Sequence, residues 1–259
     1  MASRQMDALP WDRIAPYWLG DGDRGVLLLH GFAGTPPEMR PLAEVLVARG
    51  FTVYAPLLIG HGSSPEVLER TDHRDWIRSA DQALDELTGR CHWVGVAGQS
   101  MGATLALHLA ATRGDLRALV SQSGFLSIRD WRVRLLPLGG RLVRWDVASE
   151  EVDLYDASAI GQLYNYARRP TRSIGEVARL GRLVRSELPA VFRPLLVLQG
   201  GRDKVIDASS ASRIVGAVSS DVRALRIFPR SGHGLSVDVD RAEVAAVGAD
   251  WLERYVGPG

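Results

Sequence analysis

A chain of 259 residues with 46% hydrophobic side chains and a mean hydropathy of −0.02 can bury one large core. Its 31 Lys and Arg against 30 Asp and Glu leave a formal net charge of +1, which, without a long basic run, excludes a nucleic-acid-binding design. Cys91 stands alone, excluding an internal disulfide framework and suiting a reducing compartment, and no apolar run reaches the ~18 residues of a membrane span. "MASRQMDALPWDRIAP" holds no apolar stretch of signal-peptide length, so a cytoplasmic protein without stable membrane insertion is expected.

In chain order, "PYWLGDGDRGVLLL" predicts an antiparallel hairpin through Gly20, Asp21 and Gly22, with "VLLLHG" as a buried strand ending in a glycine turn. "EMRPLAEVLVARG" predicts a helix with Leu42, Val45, Leu46 and Ala48 on one side and Gly50 as its stop. "FTVYAP" is the next strand. "DHRDWIRSADQALDEL" is the next helix, with Trp76, Ile77, Ala80, Ala83, Leu84 and Leu87 at helical spacing. "HWVGVAG" then forms a strand, the segment after Ser100 an Ala/Leu-rich helix, and "RALVSQSG" a further strand. Strands alternating with helices predict a mostly parallel sheet covered on both faces.

The alternation stops over residues 125–189, which show no buried-strand pattern. Pro170 separates two helical patterns there, the second opening on Ser173 and Glu176 at capping-box spacing and carrying Val177, Leu180, Val184 and Leu188 on one stripe. The rhythm resumes with "PLLVLQG", "DASSASRIVGAV" and "VRALRIFP". A closing helix follows, with Val244, Val247, Trp251 and Tyr255 expected to face inward. The fold class is therefore α/β, with residues 1–124 and 190–259 as the core and 125–189 as a helical insertion.

Gly98-Gln99-Ser100-Met101-Gly102 matches G-x-S-x-G between a predicted strand and a predicted helix, the placement of a nucleophile elbow. Ser100 reads either as a helix N-cap or as a nucleophile, and a nucleophilic serine needs a base, an acid that orients the base, and an oxyanion hole. Of the six histidines, His108 and His92 fall inside a helix and a strand, and His73 opens a helix where solvation is expected. His30 and His61 sit in glycine turns. His233, in "SGHGLSVD", follows the last strand and completes the order serine, acid, histidine. For the acid, Asp203 lies just past a strand end, whereas Asp207 stands where N-capping explains it; Asp203 is favoured. The oxyanion donors expected are the Met101 amide and the Phe32 amide in "HGFAGTP", with His30 bracing that loop.

With these residues in view, the chain resembles an α/β-hydrolase, and within that superfamily the small bacterial carboxylesterases and monoacylglycerol lipases. The resemblance runs through "LLLHGFAGTPPEMRPLAEVLVARGFTVYAPLLIGHGSSPE", "VAGQSMGATLAL", "PLLVLQGGRDKVID" and "FPRSGHGLSVD". It implies an α/β-hydrolase fold with a small helical cap at 125–189. It implies hydrolysis of a small-molecule ester of short to medium acyl chain, or of a monoglyceride, without cofactor. Ser100 would be nucleophile, Asp203 acid, His233 base, and Phe32 and Met101 the oxyanion amides. The cap's opening "DWRVRLLPLGGRLVRW" matches no particular member.

In the insertion, Trp131, Leu135, Leu136, Leu138, Trp145 and Tyr164 are candidates for an acyl pocket, with packing of the cap as the competing reading. Its eleven arginines between Arg129 and Arg185, against seven carboxylates, are expected on solvated faces rather than as an anion trap. No histidines and carboxylates recur at metal-ligand spacing. The same constellation also serves carbon–carbon bond hydrolases and thioesterases, and the fold also serves noncatalytic receptors of small molecules. Serine at the elbow disfavours a dehalogenase, which needs a carboxylate there.

Overall fold

The computed structural model describes residues 10–127, 144–147, 153–160, 164–166, 168–207 and 209–257. A short helix α1 (Trp11–Ile14) leads into strands β1 (Tyr17–Leu19) and β2 (Arg24–Leu29), a 3-10 turn (Pro36–Met39) and helix α2 (Arg40–Ala48). Then follow β3 (Thr52–Ala55), α3 (Pro65–Glu69), α4 (His73–Thr88), β4 (Trp93–Gln99), α5 (Met101–Thr112) and β5 (Leu116–Gln122). The described parts of residues 125–189 supply β6 (Trp145–Val147), α6 (Ala157–Ile160), β7 (Arg168–Pro170) and α7 (Thr171–Glu187). β8 (Leu195–Gly200), α8 (Ser210–Ala217), β9 (Arg223–Phe228) and α9 (Arg241–Tyr255) complete the core.

Among the described residues the main sheet has seven strands in the order β1-β3-β2-β4-β5-β8-β9, parallel throughout except for β1. Side chains of a strand alternate between faces, so β2 splits its apolar run. Leu27 and Leu29 enter the layer under α4, α5, α7 and α8, while Val26 and Leu28 enter the layer under α2 and α9. Each such fully buried aliphatic chain contributes about 1.5–3 kcal/mol. Helix α5 is buried at every residue from Met101 to Ala110, which explains its unpatterned Ala/Leu sequence: a helix apolar all round is a central one.

Three sequence expectations change. β1 is the expected antiparallel edge but pairs with β3, not as a hairpin with β2, because β3 and β4 already occupy both edges of β2. Trp18 of β1 stacks on Tyr54 of β3 with ring centroids 4.0 Å apart. Residues 125–189 carry a two-stranded antiparallel ribbon, β6 with β7, in which Trp145, Asp146, Arg168 and Arg169 are only half-buried and so leave no buried-strand pattern. In α9 the buried stripe is Val244, Ala245, Gly248, Ala249 and Leu252, while Val247, Trp251 and Tyr255 flank it half-buried. No helix among the described residues is long and apolar enough to cross a membrane.

Because β2, β3, β4, β5, β8 and β9 run parallel in the main sheet, the loops leaving their C-terminal ends gather along one edge of it, where sites form in such folds. The "HGFAGTP" loop after β2, Ser100 after β4, the turn of Asp203 after β8 and the loop of His233 after β9 all lie on that edge.

Candidate functional site

Ser100 joins the buried strand β4 to the buried helix α5 with φ +54° and ψ −113°, a conformation costing a non-glycine residue about 1–3 kcal/mol. Its side chain makes no capping bond to α5, so the N-cap reading does not explain it. The flanking glycines have a steric reason. A Cβ on Gly98 would lie 2.3 Å from the Gly102 carbonyl, and one on Gly102 would lie 2.1 Å from the Leu29 carbonyl oxygen. The sharp turn therefore closes only with both side chains absent.

The turn aims Ser100 Oγ at His233 Nε2, 2.8 Å away, and His233 Nδ1 stands 2.9 Å from Asp203 Oδ2. A carboxylate only accepts, so the ring proton sits on Nδ1 and Nε2 is free to accept from the serine hydroxyl. Asp203 also receives Gln199 Nε2 at 2.8 Å and the amides of Val205 and Ile206 at 2.9 and 3.0 Å. Burial pushes its carboxyl up, but the hydrogen bond and charge of His233 and these amides bring it net below the ordinary value. Burial pulls the His233 imidazolium down, yet the Asp203 hydrogen bond and the charges of Asp203, Asp153 and Glu38 outweigh it, leaving a raised pKa. Gln99, inside the elbow, donates to the His233 carbonyl at 2.6 Å and ties strand β4 to the histidine loop.

The glycine loop after β2 lies against the serine: a Cβ on Gly31 would be 3.5 Å from Ser100 Cβ. His30 is fully buried, accepts the Leu58 amide on Nε2 at 3.1 Å and directs Nδ1 to the Gly31 carbonyl at 2.9 Å. Burial, with His61 beside it, lowers its pKa to about 3, so it braces the loop as a neutral ring. Glu38 accepts the Gly31 amide at 2.6 Å beneath the same loop, and burial pushes its carboxyl up to about 7. The Gly34 amide closes a turn onto the Gly31 carbonyl at 3.1 Å. Met101, as the first residue of α5, has no intrahelical acceptor for its amide.

Of the remaining candidates, Trp131, Leu135, Leu136 and Leu138 lie outside the described residues. Trp145, on β6, has the guanidinium groups of Arg144 and Arg168 over its ring, at 4.8 and 4.4 Å from the centroid. Tyr164 is buried, its hydroxyl bonded to Arg13 at 3.1 Å and its carbonyl to Thr35 at 3.4 Å. Asp207 accepts the amide and hydroxyl of Ser209 at 2.8 and 2.7 Å, organising the turn that enters α8. His92 is exposed just before β4, not within it. His73 is not solvated: it meets Glu176 at 2.7 Å, and His108 meets Glu187 at the same distance, both pinning α7 to the core. Ser173 forms no capping box, because α7 starts at Thr171; its hydroxyl donates to the Leu68 carbonyl instead. Among the described residues of the insertion, four arginines combine solvent exposure with an ion pair: Arg144 with Glu69, Arg168 with Glu66, Arg169 with Asp146 and Arg179 with Glu176.

Glu38, Gln99, Gln199, Asp153 and Asp238 escape sequence reasoning. Gln199 reaches the Asp203 side chain four residues on, and each of the others acts through a backbone amide or carbonyl, so none carries a recognisable pattern. Among the described residues no three His, Cys, Asp or Glu side chains are grouped to hold a metal ion.

Residues 21–240 match a sequence family described as serine aminopeptidase, S33. The chain is similar to a thermostable monoacylglycerol lipase of Bacillus sp. (strain H-257), 31% identical over 243 residues covering 93% of this chain and 95% of the relative. It is similar to a carboxylesterase of Bacillus subtilis (strain 168), 26% identical over 92% of this chain and 96% of that one. Among solved structures, one reported for the metagenome-derived lipolytic enzymes LipS and LipT superposes with a TM-score of 0.90 at 24% identity, covering 96% of this chain and all of that one (100%). A monoacylglycerol lipase of Paleococcus ferrophilus superposes with a TM-score of 0.79 at 21% identity, covering 92% and 97%.

Proposed function

The chain belongs to the α/β-hydrolase family, and on that footing we propose that it is a serine hydrolase of carboxylic esters, acting on short to medium acyl chains or monoacylglycerols. The observation that carries the reading is the unbroken line from Ser100 Oγ through His233 to Asp203, at 2.8 and 2.9 Å, on a strained elbow.

In this reading Ser100 Oγ attacks the ester carbonyl carbon while His233 Nε2 takes its proton. Asp203 stabilises the imidazolium and keeps the ring oriented without taking the proton. The amides of Phe32 and Met101 hold the developing oxyanion; losing one such donor typically costs about 3–4 kcal/mol of barrier. The tetrahedral intermediate collapses, the C–O bond to the alcohol breaks, and the imidazolium proton goes to the leaving oxygen. Water then attacks the acyl-enzyme with His233 again as base, and collapse returns the proton to Ser100 and releases the acid.

The family description names a peptidase, whereas the similar proteins are named as ester hydrolases over nearly the whole chain; that supports ester over amide. The test is a panel of p-nitrophenyl esters from acetate to palmitate, with a monoacylglycerol, an acyl thioester and an aminoacyl p-nitroanilide. The proposal expects kcat/KM to be highest on the oxygen esters and to peak at short or medium chains. Turnover confined to the thioester or the anilide would refute it.

A further inference from the structure

The segment 153–156 of the insertion runs over the two loops that carry Asp203 and His233. Asp153 Oδ2 accepts the Lys204 amide, next to Asp203, at 2.7 Å, and the His233 amide at 3.1 Å. One carboxylate oxygen thus joins the acid loop to the histidine loop. The segment is seated from the other side by Asp238, whose Oδ1 accepts the amides of Tyr155 and Asp156 at 2.7 and 2.8 Å. Asp238 Oδ2 accepts the Gly232 amide at 2.7 Å, and Arg241 pairs with Asp156. Gly232 has no room for a side chain, since a Cβ there would lie 2.5 Å from the Asp153 carbonyl oxygen.

Resting on the esterase reading, we propose that Asp153 is a positioning residue: it clamps the Asp203 and His233 loops together from the insertion, so that the serine–histidine–acid line is assembled only when segment 153–156 is seated. The carboxylate touches neither Ser100 nor the imidazole ring; it acts through two backbone amides and through its charge. Hydrogen bonds to a charged acceptor are roughly twice as strong as neutral ones, so the clamp is worth more than two ordinary loop contacts. Its charge also adds to those of Asp203 and Glu38 in favouring the imidazolium of His233. The other charged groups around the joint are Arg202 and Lys204, which lie over the Tyr155 ring, and the Asp156–Arg241 pair.

The test compares D153A and D153N with the wild type in steady-state hydrolysis of p-nitrophenyl butyrate from pH 5 to 9, with urea unfolding alongside. D153A removes the clamp and is expected to lower kcat about 10- to 100-fold with KM little changed, the size of a misplaced catalytic group. D153N keeps an acceptor oxygen but not the charge. It is expected to restore most of the plateau kcat while the acid limb of kcat/KM moves to lower pH. Wild-type kcat in D153A, or an unmoved acid limb in D153N, overturns the proposal. Should D153A lose its cooperative unfolding transition, the D153N profile decides alone. A wild type that hydrolyses no ester overturns the esterase reading and this inference with it, whereas an active wild type beside unaltered variants overturns only the inference.

Discussion

Replacing Gly102 with alanine places a methyl group where the elbow is tightest. The new Cβ lies 2.1 Å from the Leu29 carbonyl oxygen, 2.5 Å from its carbon and 2.6 Å from the His30 carbonyl oxygen. All three are backbone atoms at the end of β2, so no rotamer change relieves the clash. The start of α5 must move away from β2 by about 1 Å in a close-packed interior. Overpacking of this kind costs about 1–3 kcal/mol, which lowers the melting midpoint of a chain this size by roughly 2–10 °C. The same movement displaces Ser100 and the Met101 amide, and a shift of about 1 Å at the reacting groups costs on the order of 100-fold in kcat/KM. Calorimetry and p-nitrophenyl butyrate hydrolysis read both effects. Gly216, near the end of α8, supplies the control, because a Cβ added there meets nothing within 4 Å. G216A is expected to leave activity intact and gain up to about 1 kcal/mol. A G102A protein with wild-type midpoint and kcat/KM would refute the steric account of the elbow.

Asp203→Asn is expected to lower kcat on the order of 10³- to 10⁴-fold, because the imidazole loses the acceptor that fixes its tautomer. Asp207→Asn should stay within about 3-fold in activity and lose at most about 1 kcal/mol of stability; the acid assignment fails if only the second variant is inactive. Because the His233 pKa is raised, kcat/KM should climb with pH through an inflection above the ordinary imidazole value of 6.5, and an inflection below it would contradict the electrostatics of Asp203, Asp153 and Glu38 around the ring. Glu38 carries a stability signature of its own. Its folded pKa, about 7, lies above the 4.5 of an exposed carboxyl, so rising pH deprotonates the unfolded chain first. Its contribution is therefore fully present below pH 4.5 and is lost as pH rises to 7. E38Q removes that loss, and its unfolding free energy relative to wild type should rise across this window and level off above it; a pH-independent difference in urea unfolding would refute the assignment.

The elbow, the acid turn and the histidine loop were legible in the sequence because each is a short motif at the C-terminal end of a strand, where parallel topology brings loops together. The alternation of apolar runs with helical stripes likewise carried the sheet, since periodicity is a local signal. Pairing is not local. The "LGDGD" turn has hairpin composition, yet the partner of β1 depends on which edges β2 leaves free. Ser173 and Glu176 have capping-box spacing, but the helix already starts at Thr171, and both side chains turn to α3 and α4 instead. Asp153 and Asp238 grip backbone amides of chain segments about 80 residues away, contacts for which residue type and spacing leave no trace.

The central claim rests on one hydroxyl. Ser100→Ala, compared with wild type in steady-state hydrolysis of p-nitrophenyl butyrate and in urea unfolding, tests it most directly. The account predicts that kcat falls by at least about 10³-fold, toward the residue of catalysis left by binding and the oxyanion amides, while the folded state persists. A folded S100A protein that hydrolyses the ester at the wild-type rate would contradict it.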